Sequence, residues 1–288
     1  MRPGIFTSFM AGMPFQTALP MIQAAGFQAV SLGGVPQLAG YATAADRRKL
    51  VALLRDLGLV IDSVHAPFPE GDRLFAEDES ARQESLRRCR FALDAAAEVN
   101  GKVVVIHLIQ PYGIPPGEQR DRMIAQGRRS VAELAEQAAA RQVCLALENG
   151  QRLDYDQVLF DLLEELPAPH VGLCYDSGHE HVQGRCFQML RRYGHRLLAL
   201  HIHDNTGRDT HLLPYEGTVP WAAFSEAMAG LDFAGNLVLE PSMAHSSFSD
   251  PEEFLDEAMR RCRRLLAMSP ENDGHGSGDG AGSKTAKG

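Results

Sequence analysis

The chain has 288 residues, 44% of them hydrophobic, enough for one substantial core, and a single large barrel accounts for that length better than two ordinary domains. Its 28 Lys plus Arg against 37 Asp plus Glu leave a net charge of −9, whose long-range field repels a nucleic-acid backbone. No run approaches the roughly 18 apolar residues of a membrane helix, no basic segment leads into an apolar stretch at the start, and the five cysteines are scattered without C-x-x-C spacing. A membrane span and a secretion signal are therefore disfavoured, and a reduced, cytoplasmic setting is expected. Cys144 and Cys174 fall inside apolar runs and read as small core filler.

Along the chain, short runs rich in Val, Ile and Leu end near Phe6, Leu32, Val64, His107, Glu148, Tyr175, His201 and Glu240. Each is followed by a periodic stretch of helical composition, over about 14–25, 43–57, 77–98, 118–140, 154–166, 180–193, 220–229 and 251–267. Eight strand–helix units in this order predict an α/β fold, a closed parallel (β/α)8 TIM barrel over residues 1–268. Asp78 is placed to cap the third helix, and Asp250-Pro251-Glu252-Glu253 combines a cap, a first-turn proline and early acids. Gly26, Gly58, Gly101 and Gly194 each follow a helical stretch, where a left-handed glycine stops a helix without a Cβ clash. Residues 269–288 have no apolar side chain large enough to anchor them and read as a disordered tail, so His275 is left out of any site.

A strand buried on both faces is apolar throughout, so polar intrusions carry the information. Here they sit at the carboxyl ends: His65 in SVHAP, His107 in VVVIHLIQPYG, Glu148 in LALENG, Asp176 and His179 in CYDSGH, His201 and His203 in LHIHDN, Glu240 in LVLEP. In a (β/α)8 barrel those ends share one face, the face that carries function. Isolated buried carboxylates are costly there, and one divalent cation offsets the cost for several of them. Alternation puts Cys144 and Ala146 beneath Glu148, Val103 and Val105 beneath His107, and Gly172 and Cys174 beneath Asp176. Small or β-branched residues are thus expected to fill the lumen under a polar rim.

The next segment, NTGRDTHLLPYEGTVPW, is polar, contains glycine and is too short for another helix, as expected of a loop over the site. Its Asp209 and His211 add an Asp-x-His pair. His203 shares parity with His201 and is read equally as a ligand or as a partner that orients ligands. Asp204 has the opposite parity and reads as a structural hydrogen-bonding group. Trp221 fits a substrate wall or an anchor for the helix after the loop. No phosphate-cradling glycine loop is present, and Arg208 is the candidate contact for a substrate anion.

The ordered motifs VHAP, HLIQPYG, LENG, CYDSGH, HIHDNTGRDTH, EGTVPW and LVLEP resemble the xylose isomerase-like barrel superfamily, which contains sugar phosphate isomerases and epimerases together with endonuclease IV. The resemblance spans nearly all of residues 3–267. In the isomerase and epimerase branch it implies a metal held by Glu148, Asp176, His201 and Glu240, with Mn, Zn, Mg or Co all able to serve; oxygen-rich ligation with one imidazole points to Mn or Zn on chemistry alone. In the endonuclease branch it implies three zincs on His65, His107, Glu148, Asp176, His179, His201, Asp209, His211 and Glu240.

The expected function is a metal-dependent isomerase or epimerase of a small sugar, sugar phosphate or polyol. Glu148 and Glu240 serve as catalytic bases beside the ion, because a carbon-bound proton leaves only when a base stands near an electrophile that stabilises the enediolate. The alternatives are a multi-zinc phosphoesterase of the endonuclease IV type and a non-catalytic carbohydrate-binding barrel. A small-molecule carbohydrate is the expected partner, nucleic acid is disfavoured by charge, and the resemblance allows a homo-oligomer.

Overall fold

The computed structural model describes residues 1–166 and 170–268; the tail expected over 269–288 lies outside the described residues. Eight parallel strands alternate with helices. In chain order these are β1 Pro3–Phe6, α1 Phe15–Ala24, β2 Ala29–Leu32, α2 Pro36–Ala39, α3 Ala44–Leu57, β3 Val60–His65, α4 Glu79–Glu98, β4 Val103–Ile106 and α5 Glu118–Ala140. There follow β5 Cys144–Glu148, α6 Leu153–Glu165, β6 Val171–Asp176, α7 Ser177–Val182, α8 Gln188–Tyr193, β7 Leu197–His201, α9 Trp221–Met228, β8 Leu237–Leu239 and α10 Pro251–Ala267. Neighbouring strands pair in sequence, β8 pairs β1, and Ile202 bridges Leu239 to close the ring into a (β/α)8 barrel. No described helix is long and apolar enough to cross a membrane.

Two cores result from strands that are buried on both faces. The larger lies between sheet and helices, around residues such as Leu19, Leu50, Leu93, Leu134, Leu159 and Phe254. The smaller fills the lumen: Val103, Val105, Ala146, Cys174 and Ala199 pack together, with Cys144 and Leu198 against them. Strand alternation predicts this stacking, since residues two apart share a face. Its effect is to seal the barrel below the polar rim, so the site has a dry floor.

Helix starts follow their local chemistry. Asp78 accepts from Ala81 N at 2.7 Å, and Asp250 accepts from Glu252 N and Glu253 N at 2.7 and 3.2 Å, with Pro251 in the first turn. Such caps contribute about 0.5–2 kcal/mol each.

Three local expectations are corrected. The helix expected over 180–193 is two, α7 and α8, because Gly184 (φ +70°) and Phe187 (φ +59°) turn the chain left-handed between them. Gly26 and Gly58 stop their helices at positive φ as expected, but Gly101 and Gly194 do not. Asn100 (φ +62°) takes the left-handed place next to Gly101, and Gly194 stays right-handed at φ −57° where a 3-10 turn continues to Arg196. The short α2, begun by Pro36, was not foreseen.

Candidate metal centre

The strand ends deliver the rim residues together. His65, Glu148, Asp176 and His201 end β3, β5, β6 and β7, while His107 and Glu240 lie one residue beyond β4 and β8. Register aligns Asp176 with His201 and Glu148 with Cys174 on adjacent strands. Glu148, Asp176, His201 and Glu240 each offer one ligand atom, all within 4.8 Å of one another. Two flanking groups meet the same criterion, His65 with His107 and Glu148, and His179 with His203, Asp209 and His211. Every candidate from the strand ends and the Asp-x-His loop therefore converges on one mouth.

How the chain holds these side chains is legible bond by bond. Asp176 caps α7 through His179 N at 2.7 Å, which swings His179 back over the mouth. Asn149 brackets β5 to β6, its Oδ1 accepting from Asp176 N at 2.6 Å and its Nδ2 donating to Asp176 O at 2.9 Å. Gly178 leaves room for His203: a Cβ there would stand 2.0 Å from His203 Cε1. His203 Nε2 meets Asp176 Oδ2 at 3.1 Å and its ring stacks on His211 at 3.9 Å, so it orients a proposed ligand and also belongs to the flanking group.

Three histidines are pinned through Nδ1 by carbonyls. His65 donates to Ala66 O, His179 to Asn149 O and His211 to Glu240 O, each at 2.8 Å. A carbonyl only accepts, so Nδ1 carries the proton and Nε2 is turned to the mouth. His107 Nδ1 faces Asp72 Oδ1 at 3.2 Å in the same sense. Fixing one imidazole nitrogen so that the other faces inward is how proteins prepare metal-ligating histidines.

Charge in the mouth balances only by sharing. Burial pushes Glu148 up, yet His107 and His201 hold its carboxyl well below the usual range. Burial pushes Asp176 up, but His179 and His203 bring it to about 2. Conversely, burial pushes His107 and His211 down and neighbouring carboxylates win, raising them to about 10 and about 9, with Glu148 and Asp72 acting on the first and Asp209 and Glu240 on the second. His179 and His201 are likewise raised well above the ordinary imidazole value, against burial, by Asp176 and Asp209 around the first and by Cys174, Glu240 and Glu148 around the second. Protons on four imidazoles thus do the neutralising that a divalent cation does when bound.

The donor atoms left over fit such a cation. His201 Nδ1 sits 3.0 Å from Glu240 Oε2 and 3.5 Å from Glu148 Oε1, but both His201 nitrogens, Glu240 Oε2 and Asp209 Oδ1 are buried with no hydrogen-bond partner. Unsatisfied buried atoms cost about 1–3 kcal/mol apiece, more when charged, unless something joins them. A carboxylate oxygen of Glu240 and the His201 imidazole, beside Glu148 and Asp176, suit a borderline divalent ion. Cys174 also reaches His201 and Glu148, but burial pushes its thiol up, so it remains filler.

Some sequence expectations place residues elsewhere. Trp221 is 4% exposed and donates to Asp204 Oδ2 at 2.9 Å, so it anchors α9 and is no substrate wall. Arg208 is exposed and does not line the cavity of about 190 Å³ over the cluster. That cavity is lined in part by Phe68, Gln110, Tyr112 and Gln151, which the sequence did not single out. Asp72, behind His107, was missed as well, since a loop acid among Pro67, Pro69 and Gly71 looks like turn chemistry.

With fold and geometry in view, comparisons with known proteins agree. A family model described as the xylose isomerase-like TIM barrel matches residues 19–265. An uncharacterized protein of Sinorhizobium fredii is 28% identical over 264 residues, 82% of this chain and 84% of its own. A fructoselysine 3-epimerase of Escherichia coli O157:H7 is 25% identical over 285 residues, 95% of this chain and all of its own. The structure of a D-tagatose 3-epimerase-like protein superposes with a TM-score of 0.76 at 19% identity, covering 93% of this chain and 98% of that one, a likeness of fold. The chain belongs to the xylose isomerase-like TIM barrel family.

Proposed function

We propose that the protein is a metal-dependent epimerase or isomerase of a small ketose-type sugar. The observation that carries this reading is the set of unpartnered buried donors on His201 and Glu240, beside Glu148 and Asp176, at the functional end of the barrel. Its nearness to relatives named as sugar 3-epimerases supports the same reading. Glu148, Asp176, His201 and Glu240 are the proposed ligands, and Mn2+ or Zn2+ suits three carboxylates with one imidazole. When bound, such an ion polarises a carbonyl and the adjacent hydroxyl of the sugar.

The chain supplies the proton chemistry. Glu148 enters from β5 and Glu240 from just past β8, so the two carboxylates approach the mouth from different sides. Each is placed to take a proton from one face of a sugar carbon or return it to the other, as epimerisation requires. His107, with Nε2 3.3 Å from Glu148 Oε2, keeps that carboxylate oriented. Phe68 and Tyr112 flank the cavity and limit water.

Glu148→Gln and Glu240→Gln are each expected to lower turnover roughly 10²–10⁴-fold. Metal content and uptake of solvent deuterium into a ketohexose are measured together. Variants that keep metal and exchange carbon-bound hydrogen at the wild-type rate would remove both glutamates from the role of base.

A second reading has its own observation, the two flanking ligand groups that adjoin the first. They suit a two- or three-zinc phosphoesterase, although the net charge of −9 disfavours a nucleic-acid substrate. Counting ions per chain by elemental analysis separates the readings: one supports the epimerase, and two or three move the weight to phosphate ester hydrolysis.

A further inference from the structure

Beside the metal centre lies a second cavity of about 600 Å³, bordered by Ile114 and Pro116 ahead of α5 and by the first residues of α6. Gln151 lines both cavities and donates to Asp209 Oδ2 at 2.8 Å, so they share one wall. The cavity over the cluster, about 190 Å³, falls below the roughly 300–1,000 Å³ of ordinary small-molecule sites. A substrate that reaches the cluster therefore extends beyond it, and the neighbouring cavity is where there is room.

The two cavities differ in charge. Glu148, Asp209 and Glu240 line the first with four histidines, which the metal centre uses, whereas Arg120 and Arg152, which take no part in that centre, line the second with Asp154. Arg152 holds Asp154 through Nε at 3.0 Å and Nη2 at 3.3 Å, but its side chain is 59% exposed, which leaves the guanidinium open to solvent and to a further anion. Arg120 reaches only the Asp154 carbonyl oxygen, at 3.4 Å, and pairs with no carboxylate among the described residues. Leu153, with 48% exposure, is the most exposed large apolar side chain among the described residues, and with Ile114 and Pro116 it gives the cavity an apolar side. Gln183 Oε1 is buried there without a partner, an acceptor for a hydroxyl.

We infer that this cavity is the distal subsite for the substrate and that it recognises an oxyanion, carboxylate or phosphate, at the end of the sugar away from the metal-polarised carbonyl. The inference rests on the epimerase reading and adds the substrate class. Guanidinium forks match a planar carboxylate or a phosphate through paired hydrogen bonds.

Calorimetric titration of the metal-loaded full-length protein with fructose, fructose 6-phosphate and fructuronate tests this. Wild type is expected to bind at least one of the two anions roughly tenfold more tightly than fructose, the effect of one good charge-assisted contact. The Arg120→Gln/Arg152→Gln double variant is expected to abolish that preference and leave fructose affinity within about twofold, and the tighter anion names the oxyanion. Equal affinities for all three sugars in wild type, or an equal loss for fructose in the variant, overturns the subsite. Binding is read apart from turnover: a protein that prefers the anion yet epimerises nothing breaks the epimerase reading alone. Epimerisation without arginine-dependent preference breaks the subsite alone.

Discussion

Two carboxylates, the buried Asp204 and the half-buried Glu240, one on each side of the loop that follows β7, make opposite use of burial. Asp204 is fully enclosed and fully satisfied: Oδ1 accepts from Asn205 N and Val219 N, and Oδ2 from Tyr215 N and Trp221 Nε1, at 2.8–3.0 Å. Gly217 permits this, because a Cβ there would stand 2.3 Å from Asp204 Oδ1. Glu240, across the loop, keeps Oε2 buried with no hydrogen-bond donor aimed at it, only His201 Nδ1 3.0 Å away. The same functional group thus ties the loop down in one place and stands ready for a ligand in the other. The number of donors aimed at each oxygen tells the two apart.

The comparison breaks first at Asp204. Asp204→Ala leaves four donors without an acceptor and is expected to cost about 3–5 kcal/mol, as for other buried charged networks. Urea unfolding with and without metal reads it. A loss under 1 kcal/mol would mean that the loop does not depend on this carboxylate.

Metal removal is next in size. A cation that binds only the folded protein stabilises it by about 4 kcal/mol at a thousandfold excess over its dissociation constant. Chelation is therefore expected to lower the melting temperature of wild type and to leave a Glu240→Gln/His201→Asn double variant almost unmoved. An equal fall in both would locate the stabilising ion elsewhere.

Acidity sharpens the contrast further. His107 and His211 carry protons in the metal-free protein up to about pH 10 and about pH 9, because neighbouring carboxylates overcome burial. Values raised in the folded state give the metal-free protein stability that is complete below about pH 6.5 and fades as pH climbs through 9 and 10. Cation binding displaces such protons, so apparent metal affinity is expected to rise over the same interval, by up to about tenfold per unit for each proton released. Metal titrations in buffers of different ionisation enthalpy count those protons, and a flat affinity from pH 6.5 to 9 would mean that no raised imidazole proton is displaced by the cation.

The smallest effect separates the two carboxylates most cleanly. Without metal, Glu240→Gln is expected to cost no more than about 1.5–3 kcal/mol, since it weakens one contact, Oε2 with His201 Nδ1 at 3.0 Å, rather than four hydrogen bonds. Unfolding of metal-stripped protein measures it, and a loss as large as that of Asp204→Ala would make Glu240 structural.

Much of this was legible in the sequence because it depends on local periodicity. Runs of Val, Ile and Leu that end in His, Glu or Asp locate strand ends, and a parallel barrel gathers those ends on one face whatever the details of packing. Asp78 and Asp250 announce their helices because a cap acts within three residues. The opposite parity of Asp204 already marked it as structural. The candidate group Glu148, Asp176, His201 and Glu240 was assembled from motif order, and the structure brings one atom of each that could hold a metal within 4.8 Å of the others.

What the sequence could not carry is whatever depends on partners far apart in the chain. Asp72 stands behind His107 across 35 residues, and Gln151 reaches Asp209 across 58. Arg208 was the sequence's candidate anion contact, yet the chain turns it to solvent, while Arg120 and Arg152 line one cavity only because the first turn of α5 lies against the start of α6, where Arg120 reaches Asp154 O. The sequence by itself determined the barrel and the residue types at its mouth, because alternation and capping act over a few bonds. Only the tertiary structure decided which imidazole nitrogen is pinned, which carboxylate oxygen is left without a donor and where a second cavity opens. Those depend on distances that ring closure sets between segments that the chain keeps far apart.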